Sequence, residues 1–191
     1  MMKKMNSMML GTVVFVACLG TALAADSYTI DEGKSEITFK IMNKPPNASK
    51  ASEVDGKFTK FSGTVKFDAA DASKNSVEVT VETKSVDTGN TKRDDHLRNQ
   101  DFFKVKEHPK MTFKSTKVKK NDDGDYEVDG DFTLLGKTKS ISIVLKKDGD
   151  ATGTTSFQIK RSDYGMKYRI PDTADEIDVT IKFVGKKAKK K

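Results

Sequence analysis

The sequence has 191 residues, a single cysteine and no tryptophan. Cys18 lies within the first 24 residues, so removing that segment leaves a chain without disulfides, thiolate nucleophiles or cysteine-ligated metal sites. Histidine is nearly as scarce, and the spacing of His96 and His108 matches no helix-borne metal motif. Neither a Gly-x-Ser-x-Gly motif nor a P-loop is present. These absences predict no metal site, no cofactor and no catalytic residue.

A long hydrophobic run occurs only once, at the start of the chain. Lys3 and Lys4 precede an uncharged, mostly apolar stretch over 10–24, which ends in the small-x-small sequence Ala22-Leu23-Ala24. This stretch is shorter than the ~20 residues that a membrane-spanning helix needs. Residues 1–24 therefore predict a signal peptide that is cleaved after Ala24, and hence a periplasmic or secreted protein.

A lipoprotein signal is the alternative at this terminus. Cys18 follows a small residue, Ala17, as a lipidation site requires. However, Phe15 stands where leucine is usual, and the apolar run before Cys18 is short. The Ala-x-Ala site fits the sequence better than lipidation does.

The formal charge of +7 suggests a nucleic-acid partner until its distribution is considered. The first 24 residues and the tail Lys186–Lys191 contribute seven lysines and no acid, so residues 25–185 are formally neutral. A neutral body argues against nucleic-acid binding. We expect the tail to be a disordered, solubilising end. The alternative is that its lysines make a peripheral contact with an anionic membrane.

Leucine is rare after the first segment. Residues 25–191 contain 4 leucines but 38 valines, isoleucines and threonines, which fit pleated strands better than helices. Apolar and polar residues also alternate in many segments, as at Ile37, Phe39 and Ile41. This alternation indicates antiparallel strands with one buried face and one wet face. Eight or more such strands close into a barrel or pack as a sandwich.

One segment breaks the alternation. Thr91 is followed three residues later by Asp94, which is the pattern of a capping box and predicts a short helix over about 92–100. Polar side chains and two adjacent aromatic rings are concentrated there: Arg93, Asp94, His96, Arg98, Phe102 and Phe103. This helix either plugs one end of a barrel or forms a polar mouth above an apolar, ligand-binding lumen.

The ordered motifs of residues 26–184 resemble the YceI-like family, a group of secreted, lipocalin-like bacterial proteins. The most specific motif is Arg93-Asp94-Asp95-His96-Leu97, followed by Asp101-Phe102-Phe103. Others are Ile37-Thr38-Phe39-Lys40-Ile41, Val54-Asp55-Gly56-Lys57-Phe58, His108-Pro109, Gly130-Asp131-Phe132-Thr133-Leu134-Leu135-Gly136 and Arg161-Ser162-Asp163-Tyr164-Gly165-Met166. The loop 43–52, with Pro45 and Pro46, is longer than the family pattern.

The resemblance implies an all-β fold: an extended eight-stranded antiparallel barrel over residues 25–185, with the short helix near 92–100. It also implies that the lumen binds a long isoprenoid-type lipid, such as a prenyl pyrophosphate or a quinone. The side chains expected to line the lumen are Phe39, Ile41, Phe58, Phe67, Val79, Val81, Leu97, Phe102, Phe103, Phe113 and Phe132. Those expected at a polar mouth are Arg93, Asp94 and His96.

Two functions are compatible with these residues. The first is a protein that carries or stores an isoprenoid lipid without any chemistry, because burial of a long apolar chain supplies the affinity. The second is an enzyme that acts on an isoprenoid or amide lipid, with His96 and nearby carboxylates as acid and base. The absence of a role-specific motif favours the carrier.

Overall fold

The computed structural model describes residues 25–149 and 151–188. The predicted signal peptide lies outside the described residues. Eleven strands and one α-helix are present in this part of the chain: β1 Asp26–Ile30, β2 Glu36–Asn43, β3 Ser52–Phe58, β4 Phe61–Phe67, β5 Ser76–Glu82, β6 Val86–Asp87, α1 Thr91–Arg98, β7 Lys110–Lys120, β8 Tyr126–Leu134, β9 Lys137–Gly149, β10 Thr152–Lys160 and β11 Glu176–Lys187.

The strands form one closed antiparallel barrel. Each strand from β7 to β11 pairs with the next, and β11 pairs back to both β1 and β2, which closes the sheet. β1 with β2, β3 with β4, and β5 with β6 each act as two parts of one long barrel strand. The barrel therefore has eight strands in simple sequential order, which confirms the predicted fold.

The interruptions keep apolar side chains inside the barrel. In β3 the inward residues include Gly56 and Phe58, whereas β4 resumes with Phe61 buried, so the alternation shifts by one residue. Thr59 and Lys60 between them absorb this shift, and the backbone N–H of Thr59 donates to the carbonyl of Ser85. Such irregularities bend a strand, which helps a long sheet to close.

The helix is confirmed, but its start differs from the prediction. Asn90 is the N-cap, and its side chain accepts a hydrogen bond from the backbone N–H of Arg93. Thr91 is instead the first helical residue, and α1 ends at Arg98 rather than at 100. Asn is at least as good a helix cap as Thr, so the residue before the expected one takes this role.

Antiparallel pairing brings alternate connections to opposite ends of the barrel. We call one end the mouth end; it carries segments 44–51, 88–109 and 161–175. We call the other the closed end; it carries 68–75 and 121–125, together with the start of β1 and the finish of β11. The helix α1 therefore lies at the mouth end, and the described C-terminus at the closed end.

The last strand extends past the predicted domain boundary at residue 185. Lys186 and Lys187 belong to β11 and pair with β1, so the tail begins later than expected. Lys186 Nζ lies 3.2 Å from Asp31 Oδ1, and Lys187 Nζ lies 3.0 Å from Asp26 Oδ1. The expected disorder of 189–191 lies outside the described residues. Across 25–149 and 151–188, none of the helical segments has the length and apolarity needed to cross a bilayer.

Candidate functional site

The barrel encloses an apolar cavity of about 290 Å³, which we call the lumen. Its wall comes from inward side chains of the strands and from the segments at the mouth end. Ten of the residues expected to line it do so: Phe39, Ile41, Phe58, Val79, Val81, Leu97, Phe102, Phe103, Phe113 and Phe132. Period-2 alternation places these strand residues on one face, and closure of the sheet turns that face inward.

Phe67, the remaining predicted lumen residue, lies elsewhere. It lines a second, smaller cavity of about 30 Å³ at the closed end. Its ring meets the Tyr126 ring edge-on at 5.6 Å, and Lys147 Nζ lies 4.6 Å from its centre. Val65 and Val128 are among the residues that line both cavities, so the small cavity continues the lumen axis. Phe67 therefore belongs to the floor of the barrel.

Two glycines create space inside the barrel for phenylalanine rings. A Cβ built on Gly56 would lie 2.2 Å from the tip of the Phe39 ring, and one on Gly130 would lie 2.5 Å from that of Phe113. Each ring thus lies against bare backbone on a neighbouring strand. This arrangement keeps both rings close to the wall and leaves the centre of the lumen open.

The helix α1 contributes Arg93, His96 and Leu97 to the mouth of the lumen. Arg93 is held in place by Thr88: Nε donates to the Thr88 hydroxyl at 2.7 Å, and Nη2 donates to its carbonyl at 2.9 Å. Asp94, which was also predicted for the polar mouth, does not line the lumen. Its carboxylate is buried away from the lumen wall and accepts hydrogen bonds from the Thr88 amide at 2.9 Å and hydroxyl at 2.6 Å.

His96 belongs to a group of three rings at the mouth. The rings of His96, Phe102 and Tyr168 meet edge-on, with centroid separations of 5.1, 5.4 and 5.3 Å. His96 Nε2 is also 2.9 Å from Asp101 Oδ2. All three rings line the lumen. Because Tyr168 comes from segment 161–175 and the other two from segment 88–109, the group joins the two segments across the opening.

Arg161 is a buried cation that sequence reasoning missed. It is only 1% exposed, it lines the lumen, and its guanidinium donates four hydrogen bonds to carbonyls of segment 161–175. Those carbonyls belong to Met166, Tyr168, Thr173 and Ala174, at 2.8–3.1 Å. Desolvation lowers the pKa of Arg161, while the charge of Asp175 opposes that shift. Arg161 therefore fixes the shape of this side of the mouth.

Asp175 is fixed beside Arg161. It accepts hydrogen bonds from the backbone N–H and the hydroxyl of Ser162, at 2.8 and 2.6 Å. Partial burial acts to raise the pKa of Asp175, but the bonds from Ser162 and the charge of Arg161 outweigh it and lower that pKa. The motif Arg161-Ser162-Asp163-Tyr164 was visible in the sequence, but polar residues in a loop carry no signal of burial.

Thr155 places an unpaired hydroxyl in the lumen wall. It is 5% exposed, and its Oγ1 has no hydrogen-bond partner among the described residues. The signal in the sequence was weak, because Thr155 occupies an inward position of β10 where β-branched residues are common. No group of His, Cys, Asp or Glu within 25–149 and 151–188 is arranged to hold a metal ion.

Comparisons with known proteins agree with this geometry. A sequence profile of the YceI-like domain matches residues 28–185. The chain belongs to the YceI-like domain family. A UPF0312 protein of Shewanella oneidensis is 35% identical over 198 residues, which cover 97% of this chain and 98% of the relative. A UPF0312 protein of Pseudomonas aeruginosa is 36% identical over 194 residues, covering 96% and 97%.

Solved structures show the same barrel. Burkholderia cenocepacia BcnA superposes with a TM-score of 0.71 at 27% identity, covering 82% of this chain and 99% of BcnA. The Campylobacter jejuni YCEI protein gives a TM-score of 0.67 at 31% identity, covering 74% and 88%. A polyisoprenoid binding domain from Saccharophagus degradans gives 0.62 at 14% identity, covering 84% and 98%, and so shares the fold.

Proposed function

We propose that this YceI-like protein carries or stores a long-chain isoprenoid-type lipid in its lumen, with no chemistry. The observation that carries the proposal is the apolar lumen of about 290 Å³, which ends at a mouth with cationic groups. This volume is near the lower end for small-molecule pockets, so the lipid tail must fit closely. The Saccharophagus degradans neighbour, described as a polyisoprenoid binding domain, supports the same ligand class through the shared fold.

The affinity would come from the tail and the orientation from the head. Each buried CH₂-sized unit contributes about 0.8 kcal/mol, so a tail of several isoprene units supplies ample free energy. Arg93 and His96, at the mouth, would hydrogen-bond a diphosphate or a quinone head group. Leu97 and Phe102 would contact the first units of the tail beside them.

Lipid extraction and native mass spectrometry of the purified protein test this proposal. We expect a long-chain lipid in the preparation, or uptake of added quinone or prenyl diphosphate. Ile181→Phe places a ring in the lumen and should weaken uptake at least tenfold, whereas Val144→Phe adds a ring to an exposed site on the barrel wall and should not. A preparation that neither contains nor takes up such a lipid would contradict the carrier function.

An enzyme acting on the same lipid is the second candidate. The pair His96 and Asp101, 2.9 Å apart beside the lumen, has the geometry of a base and its orienting carboxylate. Replacing His96 by alanine separates the two functions. Lipid turnover that disappears in this variant while binding persists would favour the enzyme. A modest change in affinity, with no turnover in either form, would favour the carrier.

We also propose that the protein works in the periplasm or outside the cell, after cleavage of residues 1–24. The sequence pattern of that segment supports this location. Mass spectrometry of the protein isolated from its native host gives the N-terminus directly. We expect a chain that starts at Ala25, and a chain that starts at a lipidated Cys18 would contradict cleavage after Ala24.

A further inference from the structure

Exposed apolar side chains are concentrated at the mouth end. Among the described residues, four large apolar side chains are conspicuously exposed: Met42 at 45%, Val144 at 43%, Tyr168 at 39% and Ile170 at 38%. Three of them belong to the mouth end, and Val144 lies on the barrel wall in β9. Isolated apolar residues on a surface need no explanation, but a group around a lumen opening does.

The backbone holds these three residues in one rim. The N–H of Ala174 donates to the carbonyl of Met42 at 2.8 Å, and the N–H of Lys44 donates to that of Asp172 at 2.7 Å. Arg161 binds the carbonyl of Tyr168, which fixes the turn that contains Ile170. We call Met42, Tyr168 and Ile170 the rim patch, together with the exposed Lys44, two residues after Met42, and the exposed Lys167, next to Tyr168.

The connecting segments at the mouth end have a net positive charge, whereas two connecting segments at the closed end have a net negative charge. The mouth segments 44–51, 88–109 and 161–175 carry ten basic and seven acidic residues. The closed-end segments 68–75 and 121–125 carry one basic and five acidic residues. A surface that combines exposed apolar side chains with net positive charge complements an anionic lipid bilayer, whose interface accepts both.

We propose that the rim patch docks the mouth of the barrel on an anionic lipid bilayer. Met42, Tyr168 and Ile170 enter the interface, and Lys44 and Lys167 contact the lipid phosphates. This inference rests on the proposed carrier function, because docking in this orientation opens the lumen directly toward the layer from which a lipid would enter.

The geometry makes the lysine tail a poor candidate for this contact. β11 runs from the mouth end to the closed end, so the chain leaves the barrel on the side opposite the opening. Lys186 and Lys187 lie beside Asp31 and Asp26 in ion pairs, which partly compensates their charge. A tail bound to a membrane would thus turn the mouth away from it.

Vesicle flotation tests the proposal. The purified protein is mixed at low salt with vesicles of phosphatidylcholine containing 30% phosphatidylglycerol, and with vesicles of phosphatidylcholine alone. We expect binding to the first and at least tenfold less to the second. Ile170→Glu should reduce binding about tenfold, whereas the matched control Val144→Glu should leave it unchanged. Circular dichroism would verify that both variants are folded.

Two further variants make the test decisive. Lys44→Gln and Lys167→Gln should each weaken binding about fivefold, as expected for a lysine near an anionic surface. Truncation after Ala188, which leaves β11 intact, should have little effect. Absence of vesicle binding, equal effects of the Ile170 and Val144 variants, or loss of binding on truncation alone would overturn the proposal. If the rim patch captures another protein but not vesicles, the proposal also fails.

Docking and lipid carriage can fail separately. Binding of farnesyl diphosphate in solution, measured by calorimetry without vesicles, reports on the lumen alone. If the Ile170 variant binds this lipid normally and no longer binds vesicles, both proposals stand. If the protein binds farnesyl diphosphate but does not bind vesicles, only the docking proposal fails.

Discussion

The mouth end and the closed end terminate the same eight strands, but they differ in loop length, charge and packing. The closed end has short acidic connections and an aromatic floor formed by Phe67 and Tyr126. The mouth end has the helix α1 and the segment 161–175, and a buried cation, Arg161, holds that segment in place. The strands form the wall of the lumen, whereas contacts between the helix α1 segment and segment 161–175 shape the mouth end.

Removing Arg161 should have the largest effect on this contrast. Arg161→Leu leaves four carbonyls of segment 161–175 without their donor, which should lower the free energy of unfolding by about 3–5 kcal/mol. Chemical denaturation measures this loss, and limited proteolysis should cut segment 161–175 first. Arg98→Leu is the control, because Arg98 also binds backbone carbonyls but is more exposed and should cost about 1 kcal/mol.

A loss of no more than about 1 kcal/mol for Arg161→Leu would show that the mouth keeps its shape without this residue. The structure of the mouth end, like that of the closed end, would then not depend on a buried cation.

Shortening the side chain of Phe67 should extend the lumen into the closed end of the barrel. Phe67→Ala removes the ring that contacts Tyr126, and this removal joins the small cavity to the lumen. Because Phe67 is only half-buried, the free energy of unfolding should fall by about 2 kcal/mol. We expect the ratio of affinities for longer over shorter prenyl chains to rise about tenfold, measured by competition binding. Phe67→Leu keeps most of the volume and should leave the ratio near its original value. An unchanged ratio in the alanine variant would mean that Phe67 does not limit chain length.

Between the two ends, a substitution of Thr155 tests whether a hydroxyl without a partner in the lumen wall lowers the stability of the fold. Thr155→Val removes a buried hydroxyl that has no partner among the described residues, so the free energy of unfolding should rise by about 1 kcal/mol. Thr154 supplies the control, because its hydroxyl faces outward and donates to Asp148 at 3.1 Å. Thermal denaturation of both valine variants checks the prediction. A destabilised Thr155 variant would indicate that its hydroxyl makes a stabilising contact.

The smallest expected effect concerns acid pH. The pKa of Asp175 at the mouth and that of Asp71 at the closed end both lie below the ordinary value of 3.8. Their ionised forms therefore stabilise the fold above pH 3.8, and this contribution disappears as the pH falls through the lower folded-state pKa. Asp175→Asn should cost about 0.5 kcal/mol at pH 7, and less as the pH falls. Urea denaturation at pH 7, and again at a pH below the folded-state pKa of Asp175, measures this loss of stability.

Asp71, whose side chain is 41% exposed, is the reference for the closed end. Asp71→Asn should change the stability less than Asp175→Asn at every pH, because solvent screens an exposed charge. If the two variants behave alike, the mouth has no special electrostatic contribution from Asp175.

The walls of the lumen were predictable because strand alternation is a local property. Ile41, Val79 and Phe113 could be assigned inward from their neighbours alone, since successive side chains of a strand point to opposite faces. Phe67 follows the same alternation but lies beyond the lumen, at the floor. Alternation gives the face of a side chain and not its depth along the barrel.

The mouth was less predictable, because its residues lie outside the strands and alternation does not apply to them. Asp94 looked like a polar mouth group, but Thr88 binds it away from the lumen. Arg161 looked like an ordinary loop residue, because its four acceptors are backbone carbonyls, which any sequence supplies. When the partners of a side chain are backbone atoms, the residue types of those partners give no indication of the contact.

The strands, their inward faces, the helix and the resemblance to the YceI-like family could be predicted from the sequence alone, because they follow from short-range patterns and ordered motifs. The tertiary structure was needed to show which segments meet at the mouth end, that β11 ends at the closed end, and how the rings of His96, Phe102 and Tyr168 pack together. These features depend on closure of the sheet, which brings residues far apart in the chain into contact and which no local pattern encodes.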